Sequence, residues 1–343
     1  MKNMGNIFQN QRNYDKAIWA YREGLRISPG CSEISNNLGQ LYLKLEDFEK
    51  GATLYEQRWN TKKFLDRKIR TSKPQWEGQK TSNVLLLAEQ GIGDEIMYAS
   101  MLSEFHSQCS NLIVQCDPRL TALFKRSFHR KITYIEDYRE LDQTQFDYHI
   151  SLGSLLKYLR PNLDSFSRSS DGYLVSCEYW ANKIKNWLSG FGDKKLIGVS
   201  WKTASRASGS HHRNINLIDL VQRLETSDKV IVCLQYGDVS QDILDVKKHL
   251  NVDIVQLPDL DLYQNLDGLA SLISVCDEVT TVDNLNVHLA GALGKQANLL
   301  LPFDGDWRWG TSKKSSYWYQ SVNIVRQRKP DDWSSALDML FAV

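Results

Sequence analysis

No apolar run in this chain approaches the length of a membrane-spanning helix; the longest, such as Val84 to Ala88, are of strand length. An excess of one charge is also missing, with 42 Lys and Arg against 41 Asp and Glu, so no global field recruits nucleic acid or an anionic membrane. The six cysteines form no C-x-x-C pair, and most sit inside apolar runs. That usage argues against a disulfide framework or zinc and for buried thiols in a reducing cytosol. Met1 to Asn13 is polar and has no apolar core of the signal-peptide kind. The expectation is a cytoplasmic chain with no transmembrane segment and no nucleic-acid partner. Any membrane association would be peripheral, at the inner face.

What is present begins with a repeat. Within the first 59 residues, Met4-Gly5 aligns with Leu38-Gly39 at an offset of 34 residues. In the same register Phe8 aligns with Tyr42, Tyr14 with Phe48, Lys16 with Lys50, Ala17 with Gly51 and Tyr21 with Tyr55. Small residues at Gly5 and Gly39 let two helices approach, and the aromatic positions fill the space between them. Period and pattern resemble the tetratricopeptide repeat, a helix-turn-helix unit stacked into a solenoid. About two units are visible, fewer than the three that usually stand alone. The pair is therefore expected to pack on the adjoining domain or to belong to a longer array.

A polar, basic stretch from Asn60 leads through Pro74-Gln75-Trp76-Glu77-Gly78 and reads as a linker over 60–82. From Asn83 short β-rich runs alternate with amphipathic helices. Strands are expected near Val84, Leu112, Ile132 and Tyr148, and then near Leu196, Val230, Ile254, Val279 and Asn298. Helices are expected over Glu95–His106, Arg119–Ser127, Glu178–Leu188, Leu217–Leu224, Gln241–His249, Leu266–Val275 and Val287–Leu293. Strands that are apolar throughout and separated by helices imply parallel sheets covered on both faces. Two such series imply two doubly wound domains, 83–177 and 178–343, with ligands beyond the carboxyl ends of the strands.

Several tracts at those strand ends could carry chemistry. The first strand runs into Ala88-Glu89-Gln90-Gly91-Ile92-Gly93-Asp94-Glu95. Gly91 and Gly93 permit a tight turn with backbone near a ligand. Asp94 either caps the next helix or faces the cleft as a carboxylate able to deprotonate an attacking hydroxyl. The third glycine of a dinucleotide fingerprint is absent, since Ile96 stands there. Trp201-Lys202-Thr203 opens a polar loop that also carries Arg206, His211, His212 and Arg213, suited to a diphosphate leaving group or simply solvated. His211-His212 lacks further ligands at metal spacing, so no metal site is expected. Gln235 and Tyr236 end another strand and should face the same cleft edge. Val282-Asp283-Asn284-Leu285 opens a helix with His288 one turn in, an anion-sized space beside backbone N–H groups; the bland alternative is a capped helix and a packed core histidine. Pro302 to Trp309, followed by Tyr317-Trp318-Tyr319, is dense in aromatics that serve packing or line a sugar cleft.

Together these tracts resemble a bacterial architecture: tetratricopeptide repeats fused to a glycosyltransferase domain similar to the heptosyltransferases of glycosyltransferase family nine. The resemblance rests on Tyr55 to Trp59, Trp76-Glu77-Gly78, Ala88 to Asp94, Val282 to Gly294, Pro302 to Trp309, Trp318-Tyr319 and Arg326-Gln327. It implies the α/β GT-B fold, a pair of Rossmann-like domains, here preceded by the short all-α repeat segment. It further implies metal-independent and usually inverting transfer, with no cofactor beyond the nucleotide-diphosphate sugar substrate. Asp94 matches the family's general base. Asp283, Asn284, Leu285 and His288 match the spacing of its donor-contacting segment, with Asn284 in place of the usual Thr and Asn286 in place of the usual Leu. Lys202 matches its phosphate-binding base, and Arg206, Gln235 and Tyr236 complete the expected donor side.

The expected function is therefore transfer of a sugar from a nucleotide-diphosphate sugar to a glycan or protein acceptor, the repeats offering a surface to a protein partner. The alternatives are a non-catalytic repeat scaffold with a degenerate transferase fold, and, weakest, a nicotinamide-dependent oxidoreductase with Asp117 as the nearest ribose-binding acid.

Overall fold

A computed structural model describes residues 1–169, 172–203, 210–224 and 226–341. The chain opens with four helices, α1 (Lys2–Asn10), α2 (Tyr14–Ile27), α3 (Ser32–Lys44) and α4 (Phe48–Tyr55). The second helix of each pair starts alike: Asn13 accepts from the Lys16 N–H at 3.4 Å, and Asp47 from the Lys50 N–H at 3.3 Å. The aligned glycines have one steric role. A Cβ at Gly5 would lie 2.3 Å from the Tyr21 ring, and one at Gly39 2.7 Å from the Tyr55 backbone nitrogen. Glycine and tyrosine thus recur as a packing pair at the repeat offset.

Two parallel sheets come next. β1 (Ser82–Leu87), β2 (Cys109–Gln115), β3 (Thr133–Ile135) and β4 (Tyr148–Ser151) form the first, in the order β3-β2-β1-β4. The second contains β5 (Lys195–Ser200), β6 (Lys229–Cys233), β7 (Ile254–Val255), β8 (Glu278–Val282), β9 (Ala297–Leu301) and β10 (Val322–Arg326), in the order β10-β9-β8-β5-β6-β7. The interior strands are buried nearly end to end, as the continuous apolar runs require. β10 escaped the sequence reading because no α-helix precedes it; β9 and β10 are joined by a short 3-10 turn, Trp307–Trp309, and aromatic loop.

The repeats are bound to both sheets. A 3-10 turn, Glu56–Asn60, carries Arg58 into the interior. Its Nε and Nη2 meet the two Glu89 carboxylate oxygens at 2.8 Å each, and Nη2 also donates to Ser154 Oγ at 2.9 Å. Nη1 donates to Glu56 at 2.6 Å and to the Tyr55 carbonyl at 3.2 Å, so all five guanidinium donors are used. Glu89, immediately beyond β1, further accepts from the Gly153 N–H at 2.6 Å. On the other side Lys44 pairs with Asp304, and Lys313 with Glu46 at 2.9 Å. The stretch 60–82 also lies against the first sheet: Trp76 is buried edge-on to Phe105 and Tyr158, and its backbone N–H bonds to the His149 carbonyl at 2.9 Å beside β4.

Removing one member of a buried ion pair strands the other charge. Arg58→Met should therefore cost about 3–5 kcal/mol in denaturant unfolding. The double change Arg58→Met with Glu89→Gln should recover more than half of that loss.

Candidate functional site

The carboxyl ends of β1, β5, β6, β8 and β9 converge on a cleft of about 780 Å³. Its first wall is the turn Gln90 to Asp94 and the start of α5 (Ile92–Ala99). Asp94 Oδ2 accepts from the Gly91 N–H at 3.2 Å, closing the helix start. Its other oxygen pairs with Arg308. The carboxylate both caps the helix and lines the cleft. Gly93 presses against the opposite wall, where an added Cβ would lie 2.9 Å from His288 Cδ2.

The second wall is the end of β8 and the helix Leu285–Ala292. Asp283 is buried; it accepts from Trp309 Nε1 at 3.0 Å and pairs with Arg213 at 3.1 Å. Burial pushes its carboxyl above the ordinary range, against the pull of Arg213. The Asn284 amide is consumed internally: its oxygen accepts from the Asn286 N–H at 2.9 Å and its nitrogen donates to Ser200 Oγ at 2.7 Å and the Lys202 carbonyl at 3.1 Å. Asn284 thus caps the helix and ties β8 to β5. His288 lies 5.3 Å from the Trp309 ring in a stacked arrangement, with Nδ1 3.0 Å from the Tyr319 hydroxyl. Burial, reinforced by Arg308, lowers its pKa to about 3, so the ring is neutral at physiological pH. Leu285 and Tyr236 also line the cleft, Tyr236 with its ring 5.7 Å from that of Tyr263.

Other expected residues are placed elsewhere. Lys202 turns to Asp242, with Nζ at 2.5 and 2.8 Å from the two carboxylate oxygens. The Gln235 amide oxygen accepts from the Trp201 and Lys202 backbone N–H groups at 3.1 and 2.9 Å, bracing the end of β5. Arg206 lies outside the described residues. The cations that do line the cleft include Arg213 and Arg308. Arg308 bonds Asp306 at 2.6 Å and Gln90 at 3.3 Å besides Asp94. Burial works against its charge, but Asp306 and Asp94 outweigh that and hold the guanidinium firmly protonated. Burial alone would raise Asp306, yet Arg308 beside it keeps the carboxyl below the usual range. Arg308 stands inside the aromatic tract Pro302 to Trp309, whose rings drew attention away from its charge. Among the described residues no group of three or more His, Cys, Asp and Glu side chains is arranged to hold a metal ion.

Comparison with known proteins agrees with this architecture. Residues 3–31 and 32–57 match the tetratricopeptide repeat. Over 316 residues the chain is 29% identical to Protein FlbA of Caulobacter vibrioides, a match that covers 87% of this chain and 52% of that protein. The chain therefore spans about half the length of the curated relative it matches. A glycosyl transferase family 9 structure from Veillonella parvula superposes with a TM-score of 0.50 at 12% identity, covering 78% of this chain and 93% of the other. The E. coli ADP-heptose lps heptosyltransferase II does so with a TM-score of 0.50 at 13% identity, covering 76% and 98%. The fold is that of the GT-B glycosyltransferases. The helical pairs before it are tetratricopeptide repeats, and no helix of the described residues is long and apolar enough to cross a membrane.

Glu95, beside Asp94, was not singled out from the sequence. It is buried, lines the cleft and accepts from the Asp117 N–H at 2.9 Å. Burial raises its carboxyl from the ordinary 4.5 to about 7. A folded pKa above the unfolded one stabilises the protein at low pH, and the contribution is lost as pH rises through the folded value. Glu95→Gln mimics the protonated form. It should match wild type at pH 4.5 and be more stable by roughly 1–3 kcal/mol at pH 8.5 in denaturant melts.

Proposed function

We propose that this chain is a glycosyltransferase that moves a sugar from a nucleotide-diphosphate sugar to an acceptor hydroxyl, by a metal-independent, inverting displacement with Asp94 as the general base. The observation that carries this reading is the meeting, in one cleft, of the Asp94 carboxylate from the first sheet with Arg213, Arg308 and the Asp283–Leu285 helix mouth from the second. In this reaction the acceptor oxygen attacks the anomeric carbon, the bond to the diphosphate oxygen breaks, and the hydroxyl proton passes to Asp94. Charge develops on the departing diphosphate, and the two guanidiniums and the helix N-terminus are set to receive it. An incoming diphosphate gives Arg308 a stronger partner than Asp94, which releases the carboxylate for the acceptor. His288, neutral and wedged against Gly93, sets the spacing between base and donor rather than carrying charge. Lys202, held by Asp242, and Asn284, held by Ser200, brace the strand ends behind the donor, while Tyr236 borders the donor beyond β6. We place the reaction in the cytoplasm, in keeping with six free cysteines, and leave the acceptor as a glycan or a protein presented near the repeats.

The competing reading is a repeat scaffold whose transferase fold no longer acts. The internal engagement of Lys202, Asn284 and Gln235 favours it. Calorimetry with a panel of nucleoside diphosphates and their sugars separates the two: the transferase binds at least one, and the scaffold binds none. Asp94→Asn should bind the donor at least as well as wild type yet release nucleotide at least ~100-fold more slowly, because only proton abstraction is lost. Wild-type turnover in that variant would exclude Asp94 as the base.

A further inference from the structure

A second cavity of about 350 Å³ opens at the carboxyl ends of β1 and β4, beside Gln115 of β2. Its far side is not the second sheet but the chain that leaves the repeats, including Trp59, Asn60, Arg67 and Lys68. The same segment supplies Lys63, Phe64 and Arg67 to the main cleft, so Arg67 borders both spaces. Its charge is lopsided: Lys62, Lys63, Arg67, Lys68, Arg70 and Lys73 stand within residues 60–73 against Asp66 alone.

Two of these cations are held in place. Phe64 is buried and packs edge-on to Trp59, with ring centroids 5.6 Å apart. Lys63 Nζ lies 5.5 Å from the Phe64 ring centroid, and the Arg67 guanidinium carbon 5.6 Å from it. Both side chains are exposed, and neither makes an ion pair among the described residues. The cleft's other guanidiniums are already committed, Arg119 to Asp117, Arg213 to Asp283 and Arg308 to Asp94 and Asp306. An aromatic platform that presents to the main cleft two cations with no ion-pair partner among the described residues, one of them, Arg67, at its junction with the second cavity, is suited to receive an anion.

We propose that Lys63 and Arg67 form an anion-binding clip, on the acceptor side of the cleft, for a carboxylate or phosphate group borne by the acceptor. This assignment rests on the transferase reading, since it takes the first sheet's side of the cleft as the acceptor's. The clip lies in the segment joining repeats to sheet, so the repeats anchor part of the acceptor's site while Arg58 and Glu89 fix where that segment starts.

The test uses the full chain and the double variant Lys63→Gln with Arg67→Gln, whose exposed side chains leave folding intact, as matching thermal melts would verify. Two probes separate the possible sources: N-acetylneuraminic acid for a carboxylate and glucose 6-phosphate for a phosphate monoester. Binding is followed by protein NMR, with a nucleoside diphosphate as the donor control. The expected result is that at least one probe binds wild type and loses about tenfold in affinity in the variant, while nucleoside diphosphate affinity stays within twofold. Glucose, which carries no charge, should not bind the clip. An equal loss of nucleoside diphosphate affinity would assign the two cations to the donor and overturn the proposal. So would unchanged probe binding in the variant, or no binding of either probe to wild type. If no nucleotide binds wild type yet the clip binds its probe, the transferase reading fails while the anion site stands.

Discussion

One guanidinium holds the two halves of the cleft in register. Arg308 leaves the loop after β9 in the second sheet's unit and reaches Asp94 and Gln90 on the first sheet's turn, with Asp306 on its own side. Arg308 is largely withdrawn from solvent, and burying a charge is costly unless carboxylates compensate it. Asp94 and Asp306 do so, and the two walls close around them. Gly93 approaches His288, and His288 stacks on Trp309, in the same seam. In the proposed reaction the same ion cluster supplies the chemistry: an incoming anion would compete for Arg308 and so uncover the Asp94 carboxylate.

The repeats are a structural part of this arrangement. Their last turn places Arg58 under Glu89, and Glu89 is followed directly by Gln90, whose amide donates to the Tyr55 hydroxyl at 2.6 Å. The turn carrying Asp94 is thus held from below by the repeat terminus and from across the cleft by Arg308. Lys44 and Tyr14 meanwhile reach Asp304, in the same loop that delivers Arg308. The two described repeats pack across both lobes. A partner bound to them would act on a surface mechanically continuous with the cleft.

Much of this was legible in the residues. The alternation of apolar strands and amphipathic helices set out both sheets except β10, and the helix Leu266–Val275 matches its expected limits, because periodicity reports burial directly. The Gly5–Tyr21 and Gly39–Tyr55 pairs were readable from the repeat offset, since close helix approach needs glycine at fixed spacing. Asp94 and Asp283 stood out because each follows a strand and opens a helix. Residues defined by long-range partners were not legible. Lys202 looks like a free cation at a strand end until Asp242, far along the chain, is brought beside it. Gln235 and Asn284 look like ligand contacts, yet their amides satisfy backbone and hydroxyl groups that strand pairing leaves over. Arg308 and Arg58 stand inside tracts that carry the resemblance, Pro302 to Trp309 and Tyr55 to Trp59, but nothing local marks their charges as buried partners. Each has one carboxylate two residues away, Asp306 or Glu56, and gains its role only when a distant segment supplies the second, Asp94 or Glu89.

A crystal structure of the full chain with a bound nucleoside diphosphate is the most direct test of this role for Arg308. The diphosphate is expected at the Asn284–Leu285 helix mouth, within hydrogen-bond reach of Arg308 or Arg213, with the Asp94 carboxylate released from Arg308 and open to the cleft. A diphosphate bound away from that mouth, or one bound there with the Arg308–Asp94 pair intact, would contradict it.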